Sequence, residues 1–423
     1  MPNRLGFSST PLIVAAVHGN RELAEFLILN GACVNYRDSY DRTALFVAAL
    51  SGQREVVELL IAHMADAEVK ADRGETALLV ASRGGFVGVV EVLLAYNPSV
   101  VNVHALNGDS PLLEASRLGH TGVVKVLLRY GGCVCQDSGN GRTSLFMAAM
   151  HGNTDVVELL IAHCNKDVDG DVTGDNMGYL DIKPSHVGVN KCDYAGTTPT
   201  LIASHRGHTE VVKLLVEAGA DIEEPDDRWV TPLFAAASEG HAAVVKLLLE
   251  SGVDVRKLDD RGSTAMIAAC TGGNIKVITL LINHGCDMHK RRKDGKAPVY
   301  IASENGHVEA IKLLLEAGAH VNTPDNEGTA PVWIAGSQGH ADAVFVLLKA
   351  GADVLSTWRG QSVLEIATKH EHEDVVRLLV EAEQWPWDMF LMGGRAGSHE
   401  QDYLAPPANR RARNHLPRLY RNR

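Results

Sequence analysis

A tripeptide of the Thr-Pro-Leu type returns along this chain, beginning at Thr10, Thr43, Thr76, Ser110, Thr143, Thr198, Thr231, Thr264, Ala297, Ala330 and Ser362. The steps are 33, 33, 34, 33, 55, 33, 33, 33, 33 and 32 residues. A period this constant marks an array of small units, each able to bury its apolar face only against its neighbours. That settles what the length of 423 residues leaves open, several independent cores or one stack. A composition 45% hydrophobic and 22% charged agrees with a folded chain.

Within a unit such as 231–254, the Thr231 hydroxyl caps a helix, and Pro232 takes the first helical position, where an amide has no partner anyway. Nine residues after each tripeptide start but the last comes a glycine, from Gly19 and Gly52 to Gly306 and Gly339, where the chain turns back. A second helix follows with an apolar stripe, as in Val244-Val245-Lys246-Leu247-Leu248, and Gly252 ends it. A short hairpin-like loop leads to the next unit.

Eleven in-register copies of this pattern over residues 5 to 383 resemble the ankyrin repeat. The resemblance implies an all-α solenoid of helix-turn-helix units with short projecting β-hairpin loops, and a concave surface that binds protein partners. Helices packed roughly 8 to 10 Å apart would spread ten such steps over an arc on the order of 100 Å. On this reading repeats one to five occupy 5–164, an insertion 165–190, repeats six to eleven 191–383, and an aromatic segment with a basic tail 384–423.

The chain departs from the family in several places. The histidine usual after the tripeptide is replaced by Ile13, Phe46, Leu79, Leu113, Phe146, Leu201, Phe234, Ile267, Tyr300, Trp333 and Glu365. Apolar packing is therefore expected to take over from a polar network between units, with these aromatics in the core. The last unit has Glu371 and Glu383 at its two glycine positions, which suits a polar cap. In the insertion, Asp167-Val-Asp169-Gly-Asp171 misses the glycine and the glutamate of a calcium loop. A mobile surface loop is the expectation there.

The tail carries Arg395, Arg410, Arg411, Arg413, Arg418, Arg421 and Arg423 against Glu400 and Asp402, and is expected to be disordered, an interaction arm or a nuclear-import signal. Trp385 and Trp387 before it are expected to pack over the last unit. The formal charge of −12 excludes a general nucleic-acid binder. No segment reads as a signal peptide or membrane span, so a soluble, monomeric protein of the cytoplasm or nucleus is expected. Seven scattered cysteines with no C-x-x-C pair read as buried thiols.

The motifs of catalysis are missing. Gly295-Lys296 is followed by Ala297, which breaks a phosphate loop, and His370 and His372 stand two residues apart, not the four that a helical zinc pair needs. No enzyme activity and no cofactor are expected. Specificity then lies in the residues that vary between hairpins, and hot spots favour Trp, Tyr and Arg. These nominate Tyr36, Tyr40, Trp229, Trp358, Arg256, Lys257, Arg261 and the run Lys290-Arg291-Arg292-Lys293, the run being expected to project freely. Beside it stands an acidic hairpin with Asp221, Glu223, Glu224, Asp226 and Asp227. Trp229 occupies a position that is Gly in eight of eleven units, so its hairpin is expected to differ locally.

The function this supports is a non-catalytic protein-interaction scaffold. A second reading is a substrate-recruiting adaptor of an enzyme such as a ubiquitin ligase, acting through its C-terminus. There Leu416-Pro-Arg-Leu-Tyr420 resembles the end of a SOCS box, although the preceding Leu- and Cys-bearing helix is missing.

Overall fold

The computed structural model of the protein describes residues 10–167 and 188–382. These hold twenty-two α-helices in eleven antiparallel pairs, from Pro11–Val17 with Arg21–Leu29 to Val363–Lys369 with Glu373–Ala382. Each starts where the sequence places it. In Thr10, Thr43, Thr76, Ser110, Thr143, Thr198, Thr231 and Thr264 the hydroxyl accepts the N–H of the third helical residue. Ala297 and Ala330 cannot, and their helices lack a side-chain cap. Ser362 and Glu365 cap each other's backbone reciprocally.

The first helices of successive units pack on one another, and so do the second helices. This stacking passes over the insertion, since Ser144–His151 packs on Pro199–Arg206 and Thr154–Asp167 on Thr209–Glu217. One apolar core runs from Leu12 to Ala382. Phe46, Phe146, Tyr300 and Trp333 lie buried in their units, as expected of the residues that replace the missing histidine, whereas Phe234 is only half-buried. A smaller apolar cluster of Leu113, Phe146 and Met147 sits apart, with Met150 and Ile202 against it.

The bounds of the insertion and the burial of the cysteines need correction. The helix Thr154–Asp167 takes in 165–167, which the sequence reading gave to the insertion; 168–187, with most of the calcium-like run, lie outside the described residues. So do 383–423, with Glu383, Trp385, Trp387, the basic tail and the run ending at Tyr420. The loops are mainly turns: among the described residues the only strands are Thr357–Trp358 and Gln361–Ser362. Of the cysteines, Cys270 and Cys286 are buried, whereas Cys33, Cys133 and Cys135 are exposed. Burial pushes the Cys286 thiol up to about 11.

The polar network between units is also present, built from other residues. The Nε2 atoms of His120, His208, His241, His307, His340 and His372 each reach a main-chain oxygen of the preceding unit at 3.0 to 3.2 Å. Asn153 and Asn274 do the same through their amides. These side chains lie under the turn glycines. A Cβ on Gly85, Gly273 or Gly306 would come within 3 Å of the next unit's histidine ring, so glycine is needed there for space as well as for its positive φ.

Candidate functional site

The hairpins lie along one edge of the stack and are built alike. In five of them an aspartate, Asp38, Asp193, Asp226, Asp259 or Asp325, accepts through Oδ1 the N–H groups two and four residues ahead. Burial works to raise the Asp38 carboxyl, but the Arg42 guanidinium and the N–H groups of Arg42 and Tyr40 outweigh it and hold the group below its ordinary range.

Each tip is also tied to the one before. The N–H groups of Asp72, Leu106, Gly139, Tyr194, Asp227, Asp260, Lys293 and Asn326 donate to the carbonyls of Tyr40, Arg73, Asn107, Asn140, Ala195, Arg228, Arg261 and Asp294, at 2.8 to 3.2 Å. The Tyr194 bond carries the ladder over the insertion. Lower on the loops, Asn35, Asn102 and Asn322 give their amide N–H to one carbonyl of the next unit and accept one N–H from it. The tips are therefore a continuous, fixed row whose side chains point to solvent.

Trp229 takes φ 61°, the left-handed conformation that glycine has at the same place in its neighbours. Its hairpin keeps the common bonds, with Trp229 N–H on Asp226 O and Asp226 N–H on Val230 O, so the expected local difference is not there. The strained backbone is retained and the indole is 64% exposed. The neighbouring tip presents Tyr194, 74% exposed, which the sequence reading passed over because tyrosine there breaks no rule of the repeat. Leu106 is likewise exposed at an earlier tip. Tyr36 and Tyr40 are partly exposed on the first hairpin, with the Arg42 guanidinium 5.0 Å from the Tyr40 ring. Trp358 is half-buried: its ring lies 5.1 Å from that of Trp333, and the Arg359 guanidinium covers it.

The charged candidates divide by what holds them. Lys257 pairs with Glu223 at 3.0 Å, and the Asp254 N–H together with Lys257 keeps the Glu223 carboxyl below its usual range. Arg256 is exposed but pairs with Asp254 at 2.9 Å. In the basic run, only Lys290 projects freely. Arg291 donates to the carbonyls of Gly295 and Pro324, at 2.6 and 2.7 Å. Arg292 stands where five hairpins have their aspartate, and its half-buried guanidinium pairs with Asp294 at 3.1 Å. Lys293 donates to the carbonyl of Asp260 at 2.7 Å. Among the described residues, the side chains of Arg261 and Lys290 make no hydrogen bond or ion pair.

One ion cluster was invisible in the sequence. Glu114, nearly buried, takes Arg117 of its own helix at 2.8 Å and Arg83 of the preceding unit at 2.9 Å, and Arg83 also reaches Glu75. Burial raises the Glu114 carboxyl, but the two guanidinium groups lower it further than burial lifts it. Among the described residues no group of three or more His, Cys, Asp or Glu could hold a metal ion, and no helix is long and apolar enough to cross a membrane.

A stack of paired helices with a ladder of tied hairpins is the architecture of a binding repeat. A family model described as ankyrin repeats, in three copies, matches residues 2–71, 61–138, 131–226, 175–259 and 233–325, and the chain belongs to that family. The same helix pairs continue past the matched region to Ala382. A search of curated proteins found no match.

Proposed function

We propose that this protein is a non-catalytic scaffold that holds protein partners along its hairpin edge. The observation that carries the reading is Trp229: a large aromatic kept in a conformation that favours glycine, exposed at the tip of a hairpin whose geometry glycine would serve better. Among the described residues no hydrogen bond or ring contact engages that indole, which leaves it available to a contact outside the chain. Tyr194 beside it adds a second aromatic anchor, and the tied hairpins fix both before binding, which lowers the entropic cost of association. The family, whose repeats generally mediate protein–protein contacts, supports the same reading.

A photo-crosslinking amino acid placed at Tyr194 tests it in cells. Protein adducts should form there and not from the same group at Lys246, on the second helix of the next unit. Equal adducts at both positions, or adducts at Lys246 alone, would move binding off the hairpin edge. The adaptor reading rests on the run ending at Tyr420, outside the described residues, and no observation here favours it.

A further inference from the structure

We infer that the hairpins 254–263 and 287–296 take a short acidic run of a partner protein in extended form, with an apolar residue of the same segment laid on Trp229. The inference rests on the hairpin edge being the binding surface. Residues 287–296 hold five cations and two carboxylates, while the chain as a whole is at −12.

How those cations are held matters more than their number. The guanidinium of Arg291 and the ammonium of Lys293 are fixed by main-chain carbonyls, of Gly295 and Pro324 in the first case and of Asp260 in the second. A carbonyl orients a cation without neutralising it. Both groups therefore stand in set positions with their charge unspent, and the side chains of Arg261 and Lys290 stand beside them uncommitted. The Lys293 N–H donates to Arg261 O at 3.1 Å, which joins the cationic hairpin 287–296 to the hairpin 254–263, where three cations and three carboxylates balance and only Arg261 is uncommitted among the cations. Fixed, unpaired cations fit carboxylates that arrive with little ordering cost.

The surroundings limit the length of that anion. Two hairpins away, residues 221–228 carry five carboxylates and one arginine, and would repel a polyanion that continued along the edge. Trp229 closes the acidic hairpin and Tyr194 lies one hairpin beyond it, away from the cations, and both present apolar surface where the acidic run must stop. The Asp260 N–H ties the Arg261 hairpin to the Trp229 hairpin, and the Asp227 N–H ties the latter to that of Tyr194. Neighbouring units stand about 10 Å apart, and an extended chain advances about 3.3 Å per residue. Carboxylates facing Arg261 and Lys290 to Lys293 therefore lie about three and about six residues from the apolar residue on Trp229.

Random dodecapeptides displayed on phage and selected on the full chain test this without knowledge of the partner. The selected pool should carry acidic pairs at that spacing from an apolar residue. A fluorescent peptide from the pool should bind the variant with Arg261→Glu and Lys290→Glu at least tenfold more weakly; these side chains hold no internal bond, so the fold is kept. A pool without acidic residues, no enrichment at all, or affinity unchanged by the charge reversal would each overturn the inference. If Trp229→Gly still abolishes binding of a charge-insensitive peptide, the hairpin edge stands and only the acidic partner falls. Indifference to both variants would remove the edge as well. A twelve-nucleotide oligouridine bound as tightly as the peptide would assign the cations to nucleic acid and overturn the proposal.

Discussion

The Nε2 of His340 lies 3.1 Å from the main-chain oxygen of Glu304, thirty-six residues earlier, and its ring lies under Gly306. The bond joins two units, so the loss is felt across the stack. His340→Ala should cost about 1 kcal/mol, the net worth of one hydrogen bond. Gly306→Ala should cost more, on the order of 2 kcal/mol, because alanine pays for φ +69° and its Cβ meets the ring. Urea unfolding of the two variants checks the order.

The uncapped helices at Ala297 and Ala330 have the extended backbone of their capped counterparts, with φ −87° and −83°. Serine there needs no rearrangement to accept the N–H of Tyr300 or Trp333. Ala297→Ser and Ala330→Ser should each stabilise the chain by about 1 kcal/mol, additively. Thermal unfolding that does not rise for either would show that neighbouring backbone occupies the cap.

Thr200 takes the place of the tripeptide leucine and is fully buried, with a hydroxyl that has no hydrogen-bond partner among the described residues. Removing that polar atom while keeping the shape should help. Thr200→Val is expected to gain about 1 kcal/mol, read from the urea midpoint. A loss would mean that the hydroxyl has found a partner.

The pH dependence of stability follows from Glu114. Its folded carboxyl is held below the ordinary value of 4.5, so the bound protons are fewer in the folded state. The stabilisation is present above that value and is lost as the pH falls from about 4.5 through the lower folded value. Glu114→Gln should cost on the order of 2 kcal/mol at neutral pH and flatten the acid limb of the stability curve. An acid limb of unchanged steepness would show that the Arg83 and Arg117 contacts add nothing.

The stack was legible because its determinants are local and repeated. Thr231, Pro232, Gly240 and Val244, like their counterparts in most units, do what their chemistry dictates, and the hydroxyl caps and glycine turns stand where the period puts them. What was not legible involves main-chain acceptors far along the chain. Arg291 looked free in sequence, but one of its acceptors is the Pro324 carbonyl, thirty-three residues on, an atom that no residue type announces. For the same reason the histidines that follow the turn glycines were read as consensus, and their bonds between units went unseen. Tyr194 escaped because tyrosine there breaks no rule of the repeat, whereas its exposure follows only from the ladder that turns the tips outward.

Trp229→Gly separates binding from folding, because the two should move in opposite directions. Glycine relieves the left-handed strain at φ 61°, so the variant should be more stable by about 1 kcal/mol. If the indole is an anchor, capture of the proteins that the wild-type chain retains from cell extract should fall about tenfold or more, a loss of roughly 1.4 kcal/mol or greater. Stability raised with capture undiminished would contradict the claim that the hairpin edge, with Trp229 at its centre, is where this protein holds its partners.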